Sequence, residues 1–460
     1  MPYILFGSYV VAFIAAIQHR GLRGAFYFFC ITFPFTFFVS IGPVNANSAE
    51  LASFLALLVL VGALSRSGVG LTLRWPHIHY APFFVYAAAS LAILLTSAPT
   101  PRAIVFVVRP AAFLAVAVIG MQVVRSSQEA ERIPRLVAIG VSAALGIGLI
   151  ELLMVQDLSD VLAWKTVLSR MGVLPVTLEE QAILEWSYVE GLSGIFPLHH
   201  PYAYFLGVVW LFVFSRLLHS RPPGRESTAI HIGLLVILSI LLLATQSRTF
   251  QLALLPAILA GVLVMPARRL FPRLGVVLMV AAGIGVVVAG SGMGIERWSA
   301  TIALVTGDPS DAGDGSVVQR IEYQERSVEL IRAHPWLGAG FDSYGAGFGQ
   351  SKPHNAYLTE WQVKGVLGTA AYLLLIGVLF LSGWRGYRRG RQGAVYFHFA
   401  VVFSVYVGVA GFGTAFLGDV RAAMPLILAY VMIHALTRET RLSEVDEGGR
   451  AERLSGRPVG

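Results

Sequence analysis

A polar segment reads RIEYQERSVELIRAHPWLGAG at residues 320–340 and, after a Gly-rich connector, KPHNAYLTEWQVKGVLG at residues 352–368. Nearly everything around it is apolar, so arginine, histidine and carboxylate side chains are concentrated in this part of the chain. A hydrophobic run begins within its last residues. The segment is therefore predicted to lie at a membrane surface, as a chemically equipped loop that leads into a membrane span.

The composition of the whole chain is that of a membrane protein. Hydrophobic residues make up 56% of the chain, charged residues only 13%, and the mean hydropathy is +0.70. A helix needs about 20 apolar residues to cross the hydrocarbon, where its backbone groups must bond internally. This predicts an all-α polytopic protein with about 13 transmembrane helices, within a range of about 12–14. The spans are expected near 3–17, 25–41, 50–64, 80–97, 103–122, 135–154, 199–217, 229–245, 249–265, 273–291, 362–382, 395–414 and 420–437.

Positive charge falls mainly on one side of these spans. With the N-terminus outside, alternate loops and the C-terminal tail carry 22 of the 34 Lys and Arg residues. The positive-inside rule makes that side, with the C-terminus, cytoplasmic. Two long loops, 155–198 and 292–355, then fall on the outer side, and each carries more acidic than basic residues.

The chain is predicted to contain three regions. Residues 1–198 form an N-terminal transmembrane bundle that ends with the first long outer loop, 155–198. Residues 199–437 form a second transmembrane region whose outer loop, 292–361, carries the chemistry. Residues 438–460 are rich in Gly, Arg and Glu and poor in large apolar side chains, which predicts a disordered cytoplasmic tail.

Several classes of function are disfavoured. The net charge of +8 follows from topology and from contact with anionic lipid, not from a nucleic-acid surface. The single cysteine, Cys30, lies inside a span, so neither a disulfide framework nor a thiolate metal site is expected. The outer loop 42–49 lacks paired carboxylates, and the acidic run 307–315 lacks the closing glutamate of a calcium loop. No metal and no cofactor is predicted.

Some arginines lie where a purely structural membrane protein rarely has them. Arg109 is within the fifth span, and Arg248 occupies the short outer turn 245–249 between two apolar runs. Arg102 and Arg421 lie near the outer ends of spans, where snorkelling to the interface explains them equally well. A charge in or near hydrocarbon is costly, so Arg109 and Arg248 are candidates for function. The planar guanidinium matches phosphate oxygens in geometry and charge.

Residues 316–334 are predicted to form an amphipathic helix on the outer face. Apolar residues recur on one side of it, and Pro335 ends the run. Arg320 opens the helix, and Arg326 lies further along it. The G-x-G that follows lacks the rest of a dinucleotide-binding fingerprint and is interpreted as a tight connector.

His354 precedes Asn355 at the start of a second short helix, 353–364, which leads into the eleventh span. Its imidazole can accept or donate a proton near neutral pH. Glu360 and Lys364 are one turn apart on this helix and are expected to pair. The alternative for His354 is a structural, hydrogen-bonded interfacial residue; the neighbouring arginine-bearing helix favours a functional one.

Four pieces of the sequence resemble the O-antigen ligase and polymerase superfamily of bacterial membrane glycosyltransferases. They are GLSGIFPLHHPYAYFLGV (191–208), TQSRTFQLAL (245–254), RIEYQERSVELIRAHPWLGAGFDSYG (320–345) and HNAYLTEWQVKGVLG (354–368). The last two in tandem are the most specific. The first differs from its relatives, which often have an Asn/His-Pro-Asn pattern where this chain has His-His-Pro at 199–201.

The resemblance implies an inverting, metal-independent transferase in the bacterial inner membrane. Such an enzyme takes a saccharide from undecaprenyl pyrophosphate at the periplasmic face and joins it to an acceptor sugar. The acceptor is lipid A–core for a ligase, which we favour slightly, and another lipid-linked glycan for an O-antigen or exopolysaccharide polymerase. A transporter of lipid-linked sugars is the non-enzyme alternative, and it would require charges along several spans and repeat symmetry between halves.

By position, the resemblance assigns catalytic roles to His354, Arg248 and Arg320. Pyrophosphate is already a good leaving group, so the enzyme needs mainly to hold its charge and orient the incoming hydroxyl. The arginines suit the first task, and His354 suits the second, as a general base or by hydrogen bonding. Glu190 is a rival base. Substrate contacts are further expected from Asn355, Arg109, Arg326, His200 and Glu360, the last also as a rival base.

Overall fold

The computed structural model describes most of the chain. Described are residues 2–35, 38–41, 44–65, 78–91, 93–96, 101–154, 158–170, 199–219, 225–267, 315–340, 353–390, 393–413 and 420–454, with the single residues 192, 194, 196, 271, 275 and 343. The predicted span 273–291 and most of the two long loops lie outside these ranges.

The described chain is helical, as predicted, with the addition of one short β-hairpin. The helices are α1 (Pro2–Thr32), α2 (Ser48–Ser65), α3 (Ala81–Leu91), α4 (Ile93–Thr96), α5 (Pro101–Val123), α6 (Ser127–Met154), α7 (Leu158–Arg170), α8 (His199–His219), α9 (Arg225–Ala244), α10 (Arg248–Val264), α11 (Gly315–Ala333), α12 (Ala356–Arg388), α13 (Ala394–Ala410) and α14 (Val420–Leu454). The hairpin pairs β1 (Phe38–Ile41) with β2 (Val44–Asn47) in antiparallel register.

Four of the described helices are long and apolar enough to cross a membrane. They are Tyr3–Thr32, Ser127–Met154, His200–His219 and Ala356–Arg388, and six further apolar helices are shorter. From α2 to α10 the helix bounds follow the predicted spans, except that α7 lies within the predicted loop 155–198. The protein is thus a membrane protein, while the count of about 13 spans stays a prediction.

The first helix is a hairpin of two helices that meet at Gly21. Gly21 has a φ of 59°, which a non-glycine residue rarely adopts. The hydroxyls of Tyr9 and Thr32 are 3.0 Å apart, whereas a straight helix would separate these residues by about 35 Å. The sequence prediction of two separate helices here is therefore confirmed, while their crossing of the membrane as two spans stays a prediction.

The second of these spans is shorter than predicted. The helix ends at Thr32 instead of continuing to residue 41, and residues 38–41 form β1. Pro34 explains the end, because its ring cannot continue a helix and disfavours helical geometry in the residue before it.

Part of the core lies around α13, on which α8, α10 and α12 all pack, and α8 also packs on α10. Buried aromatic rings fill it: Tyr204 stacks on Tyr406 with centroids 6.1 Å apart and meets Phe250 edge-on at 5.8 Å. His398 links three helices, since its Nε2 donates to the Gly261 carbonyl (3.1 Å) and its Nδ1 bonds the Ser215 hydroxyl (2.9 Å). These bonds hold the helices in fixed register beneath the site.

A second break divides α12 at Gly365, whose φ is 68°. The Thr369 hydroxyl donates to the carbonyl of Tyr357 (3.3 Å), and the rings of Tyr357 and Tyr372 are 5.4 Å apart. These contacts require residues 356–364 to fold back along the start of the long helix 366–388. The predicted short helix that leads into the eleventh span is therefore confirmed.

The turn after α11 is held against this break by backbone hydrogen bonds. In an unbroken helix the amide of Val366 would donate to the carbonyl of Gln362. Here Val366 donates to Pro335 (3.0 Å), and the Gln362 carbonyl accepts from Ala339 instead (2.7 Å). The loop thus satisfies both backbone groups that the break exposes.

The end of α14 differs from the predicted disordered tail at 438–460. The helix continues to Leu454 instead of ending near residue 437. Arg and Glu, which dominate this part of the sequence, are good helix formers, so a polar composition did not prevent the helix from extending.

We predict that Gly365→Ala destabilises the protein. The positive φ costs about 1–3 kcal/mol for a side-chain-bearing residue. In addition, an added Cβ would overlap the carbonyl oxygen of Trp336. The melting temperature of the purified protein in detergent should therefore fall.

Gly377→Ala is the matched control. It lies in the same helix, and nothing stands within 4 Å of an added Cβ. This variant should melt at or slightly above the wild-type temperature, because alanine favours helix. Equal melting of the two variants would show that the Gly365 break does not support the fold.

Candidate functional site

The turn between α9 and α10 carries the predicted arginine and is fixed on several sides. The Thr245 hydroxyl donates to Leu242 (2.6 Å), and the Gln251 side chain donates to the same carbonyl (3.1 Å). The amide of Leu192 donates to the carbonyl of Ala244 (2.9 Å), which joins the end of the first long loop to the turn. Arg248 is the first residue of α10 and is half-buried.

Strain is stored beside Arg248. Gln246 has a φ of 53° and is the one non-glycine residue with a positive φ in the described chain. Such geometry costs of order 1–3 kcal/mol and persists where surrounding contacts enforce it, often at functional sites. The turn is therefore built to hold one backbone geometry immediately before Arg248.

His200, at the start of α8, is bonded to this turn. Its Nδ1 lies 2.7 Å from the hydroxyl of Ser247. Ser247 is fully buried and occupies the N-cap position of α10, yet its side chain makes no capping bond. The hydroxyl is used to join two helix ends instead, which orients both His200 and the residue that follows Ser247.

The turn after α13 joins the same end of the bundle to the start of α12. The carbonyl of Gly411 accepts from the amide of Ala356 (2.7 Å). Gly413 packs directly on Thr249, so closely that a Cβ would overlap that side chain. Through this turn, the His354–Asn355 pair is brought to the end of the bundle at which α8 and α10 begin. We call that end the site end.

His354 is half-buried and directly precedes the first turn of α12. Asn355 is the N-cap: its Oδ1 accepts from the amide of Leu358 at 3.1 Å. Capping of this kind stabilises a helix by about 1 kcal/mol. The side-chain NH₂ group of Asn355 remains available for a substrate, while its Oδ1 already caps the helix.

Several sources of positive electrostatic potential lie at the site end. α10 begins at Arg248 and α12 at Ala356, and a helix N-terminus carries roughly half a positive charge. Exposed amides at such ends bind phosphate and other anions readily. Added to the Arg248 guanidinium, they make this end suited to a polyanionic group.

Glu360 lies in a buried polar cluster. Its Oε2 is 2.7 Å from Lys364 Nζ, as the i,i+4 spacing predicted, and Tyr86 donates to its Oε1 (2.9 Å). Lys364 Nζ in turn donates to the Tyr86 oxygen (2.9 Å). The cluster fixes the short helix 356–364 against α3, and it engages both carboxylate oxygens of the residue that was a rival base.

Arg109 is paired as well. Its guanidinium lies 2.7 Å from the carboxylate of Glu50, at the start of α2. Both side chains are part-exposed, at 32% and 22%. The pair explains how an arginine is accommodated within α5, and a substrate anion would have to compete with Glu50 for it.

Two predicted arginines, Arg320 and Arg326, lie on the outer-loop helix α11. Arg320 lies in the first half of α11, and its side chain is outside the described part of the structure. Arg326 is exposed on the same helix. Buried Ser327 and Ile331 form the opposite, packed face, so α11 rests on α12 as the predicted amphipathic helix.

A buried ion pair anchors the first long loop near the site. Lys165 of α7 contacts Glu151 at the end of α6 (3.3 Å) and donates to the carbonyl of Gly194 (3.1 Å). Burial lowers the pKa of Lys165, and the attraction of Glu151 opposes that shift. The pair ties the loop to the segment that precedes His200.

The structure thus gathers three separately predicted residues, His200, Arg248 and His354, at one end of the bundle. Sequence reasoning missed the residues that join them. The signal was a pair of glycines at 411 and 413 directly after a span, since closely packed backbones need glycine. Nothing in the sequence pointed to Tyr86 as the partner of Glu360.

A family model matches part of the chain. Residues 233–373 match a family model described as O-Antigen ligase. The match includes the Arg248 turn, the loop helix α11 and the His354 segment. No protein of curated function matches the chain. The match confirms the resemblance drawn from the sequence and supports placing the chain with the O-antigen ligase superfamily.

Proposed function

We propose that this protein is a glycosyltransferase of the bacterial inner membrane that moves a saccharide from undecaprenyl pyrophosphate to an acceptor sugar. The reaction takes place at the periplasmic face, which we assign to the site end. The C-terminus is then cytoplasmic. The acceptor that we favour is lipid A–core, which makes the protein an O-antigen ligase in surface polysaccharide synthesis.

One observation carries the proposal. Arg248 is held by a strained turn that is bonded to His200, and the turn at 411–413 links that segment to the start of α12 behind His354. A cation, two helix N-termini and an imidazole therefore share one end of a membrane bundle. This combination supports a site for a membrane-anchored pyrophosphate and an attacking hydroxyl.

The proposed reaction is a single displacement at the anomeric carbon of the donor sugar. The acceptor hydroxyl oxygen forms the new glycosidic bond as the bond to the pyrophosphate oxygen breaks. Undecaprenyl pyrophosphate leaves with the bonding electrons, and attack from the opposite side inverts the configuration. Arg248 and Arg320 stabilise the charge that develops on the leaving group by charge-assisted hydrogen bonds.

His354 acts on the acceptor sugar. It accepts the proton of the acceptor hydroxyl or orients that hydroxyl by a hydrogen bond. Asn355, Arg326, Arg109 and His200 are proposed as further substrate contacts. The chemistry needs no metal, because the arginines and helix N-termini supply the positive charge that a cation would otherwise provide.

The buried charges favour an enzyme over a transporter. In the described part of the chain, the buried charged side chains are Glu151, Lys165, Glu360 and Lys364, and they form two local ion pairs. A path for a charged lipid through the bundle would instead need charges along several spans. These pairs support fixed anchoring of the outer segments.

A transfer assay with purified protein distinguishes the two candidate acceptors. Purified protein in nanodiscs receives an undecaprenyl-pyrophosphate oligosaccharide in the presence of EDTA, with lipid A–core or a second donor molecule as acceptor. Label on lipid A–core is expected for the proposed ligase. Lengthening of the lipid-linked chain would make it a polymerase instead. Transfer to neither by folded protein would contradict the proposal and favour the transporter.

We predict that His354→Ala lowers the transfer rate by about 10²–10⁴, the usual loss for a positioned acid–base group. The protein should remain in the membrane at normal abundance, because His354 precedes the helix and is only half-buried. The initial rate of glycan transfer and an immunoblot of membranes measure the two effects.

His334→Ala is the control for that variant. His334 is an exposed histidine at the end of α11 in the same outer loop. Its substitution should leave transfer near the wild-type rate. A His354→Ala enzyme as active as the His334→Ala enzyme would remove His354 from the chemistry.

Arg248→Lys should also impair transfer although it keeps the charge. An ammonium cannot replace the two-pronged hydrogen bonds of the guanidinium, and Arg248 begins directly after a rigid turn. We expect a rate loss of at least about tenfold, since charge-assisted hydrogen bonds are worth roughly 1.5–3 kcal/mol. Arg135→Lys, an exposed arginine in α6, serves as the control. Wild-type turnover by Arg248→Lys would place Arg248 outside the pyrophosphate site.

A further inference from the structure

At the end of the bundle opposite the site end, a cavity opens between the turn before α3, α12 and α14. Its volume is about 190 Å³, enough for a phosphate and several waters. On α12 its lining begins at Val378, about 20 Å along the helix from the Gly365 break, and extends to Arg389. None of the residues that line the cavity belongs to the candidate active site, so the two are distinct.

One face of α12 lines this cavity and changes character along its length. Val378 and Leu381 come first, Ser382 follows, and Arg385 and Arg389 come last. These positions recur at the three- and four-residue spacing that puts side chains on one face of a helix. Over about 16 Å the face passes from apolar to cationic.

The residues around this face are likewise apolar in one part and polar in another. Ile78 and Leu381 are about half exposed, at 51% and 46%, and form an apolar margin. Buried His79 bonds the Ser382 hydroxyl through Nε2 (3.0 Å) and forms the polar floor. Thr437 of α14 stands on the far side, where its hydroxyl donates to Ile433 (2.7 Å) and its oxygen can still accept.

The two arginines of the cavity have no acidic partner in the part of the chain that the structure describes. The four ion pairs found there involve Arg23, Arg109, Lys165 and Lys364. Glu439, the acid on α14 next to the cavity, accepts from the amide of Ser127 instead (2.6 Å). Arg385 and Arg389 therefore leave two exposed guanidinium groups at the mouth of an amphipathic groove.

We propose that this groove binds one anionic phospholipid. Arg385 and Arg389 hold the phosphate, and an acyl chain lies along Leu381 and Ile78. The positive-inside rule assigns this end to the cytoplasm, where anionic lipids attract basic groups next to membrane spans. The proposal depends on the membrane character of the chain and is independent of the transfer reaction.

The shape of the groove favours a lipid over a free anion. A soluble phosphate needs only the basic end, and the exposed Ile78 and Leu381 would gain nothing from it. A phospholipid matches both parts, because its charged headgroup is joined directly to apolar chains.

The test measures the melting temperature of the purified full-length protein in dodecyl maltoside. Palmitoyl-oleoyl phosphatidylglycerol, phosphatidylcholine with the same chains, or sodium phosphate is added at increasing concentration. We expect phosphatidylglycerol to raise the melting temperature at saturable concentrations and the other two to have little effect. Sodium phosphate acting as strongly as phosphatidylglycerol would overturn the lipid assignment.

Variants locate the effect. Arg385→Gln and Arg389→Gln should each weaken the apparent affinity for phosphatidylglycerol about tenfold, as expected for the loss of a charged hydrogen bond. Arg388→Gln is the matched control: it removes the same charge from the same turn, but Arg388 lies over the Trp384 ring (4.7 Å) and outside the groove. Equal weakening in the control would show diffuse surface attraction and would refute the site.

The melting temperature without added lipid shows whether each variant is folded. Arg385→Lys adds a second test, since it keeps the charge and should retain most of the lipid effect at a single point contact. Native mass spectrometry then counts the lipid molecules that each variant retains. One retained phosphatidylglycerol is expected for wild type and Arg388→Gln, and none for Arg385→Gln. Retention by all three would contradict the proposal.

Discussion

The outer part of this protein depends on the exchange of two backbone hydrogen bonds at Gly365. A positive φ breaks the helix there, and the broken bond would leave the amide of Val366 and the carbonyl of Gln362 without partners. The loop supplies both, through Pro335 and Ala339. Because buried backbone groups are costly to leave unsatisfied, the break and the loop stabilise each other. This places α11 on α12 and lets residues 356–364 fold back with His354 at their start.

Charged side chains inside the bundle must likewise be paired, because an unpaired buried charge is costly. The buried pairs Glu360–Lys364 and Glu151–Lys165 each fasten a segment near the site end to the helices beneath it. Replacing either partner would leave a buried charge alone, which typically costs about 3–5 kcal/mol. Arginines also lie toward the ends of the bundle: Arg248 next to helix N-termini, and Arg385 and Arg389 at the opposite end. The first suits a pyrophosphate, the second a lipid phosphate.

Individual residues of the candidate site could be predicted, whereas their connections could not. Arg248 and His354 were apparent because a charge between apolar runs and a histidine before a helix are unusual in a hydrophobic chain. Glu360 was identified as part of an ion pair, but its partner Tyr86 is more than 270 residues away, and no local pattern reveals such a contact. Likewise, the role of Asn355 as an N-cap follows from its backbone geometry. The glycines at 411 and 413 acquire meaning only when Thr249 and Ala356 are seen beside them.

Membrane character, helix positions, the amphipathic outer helix and the family all follow from the order of residues in the chain. They rest on local physics: hydrophobic runs must form helices in lipid, and polar residues with helical spacing form a surface helix. The breaks at Gly21 and Gly365, the end of the second helix at Thr32, the strained turn at Gln246 and the gathering of His200, Arg248 and His354 required the folded molecule. Each depends on partners distant in the chain, and a glycine in a hydrophobic run does not reveal whether the helix continues through it or folds back on itself.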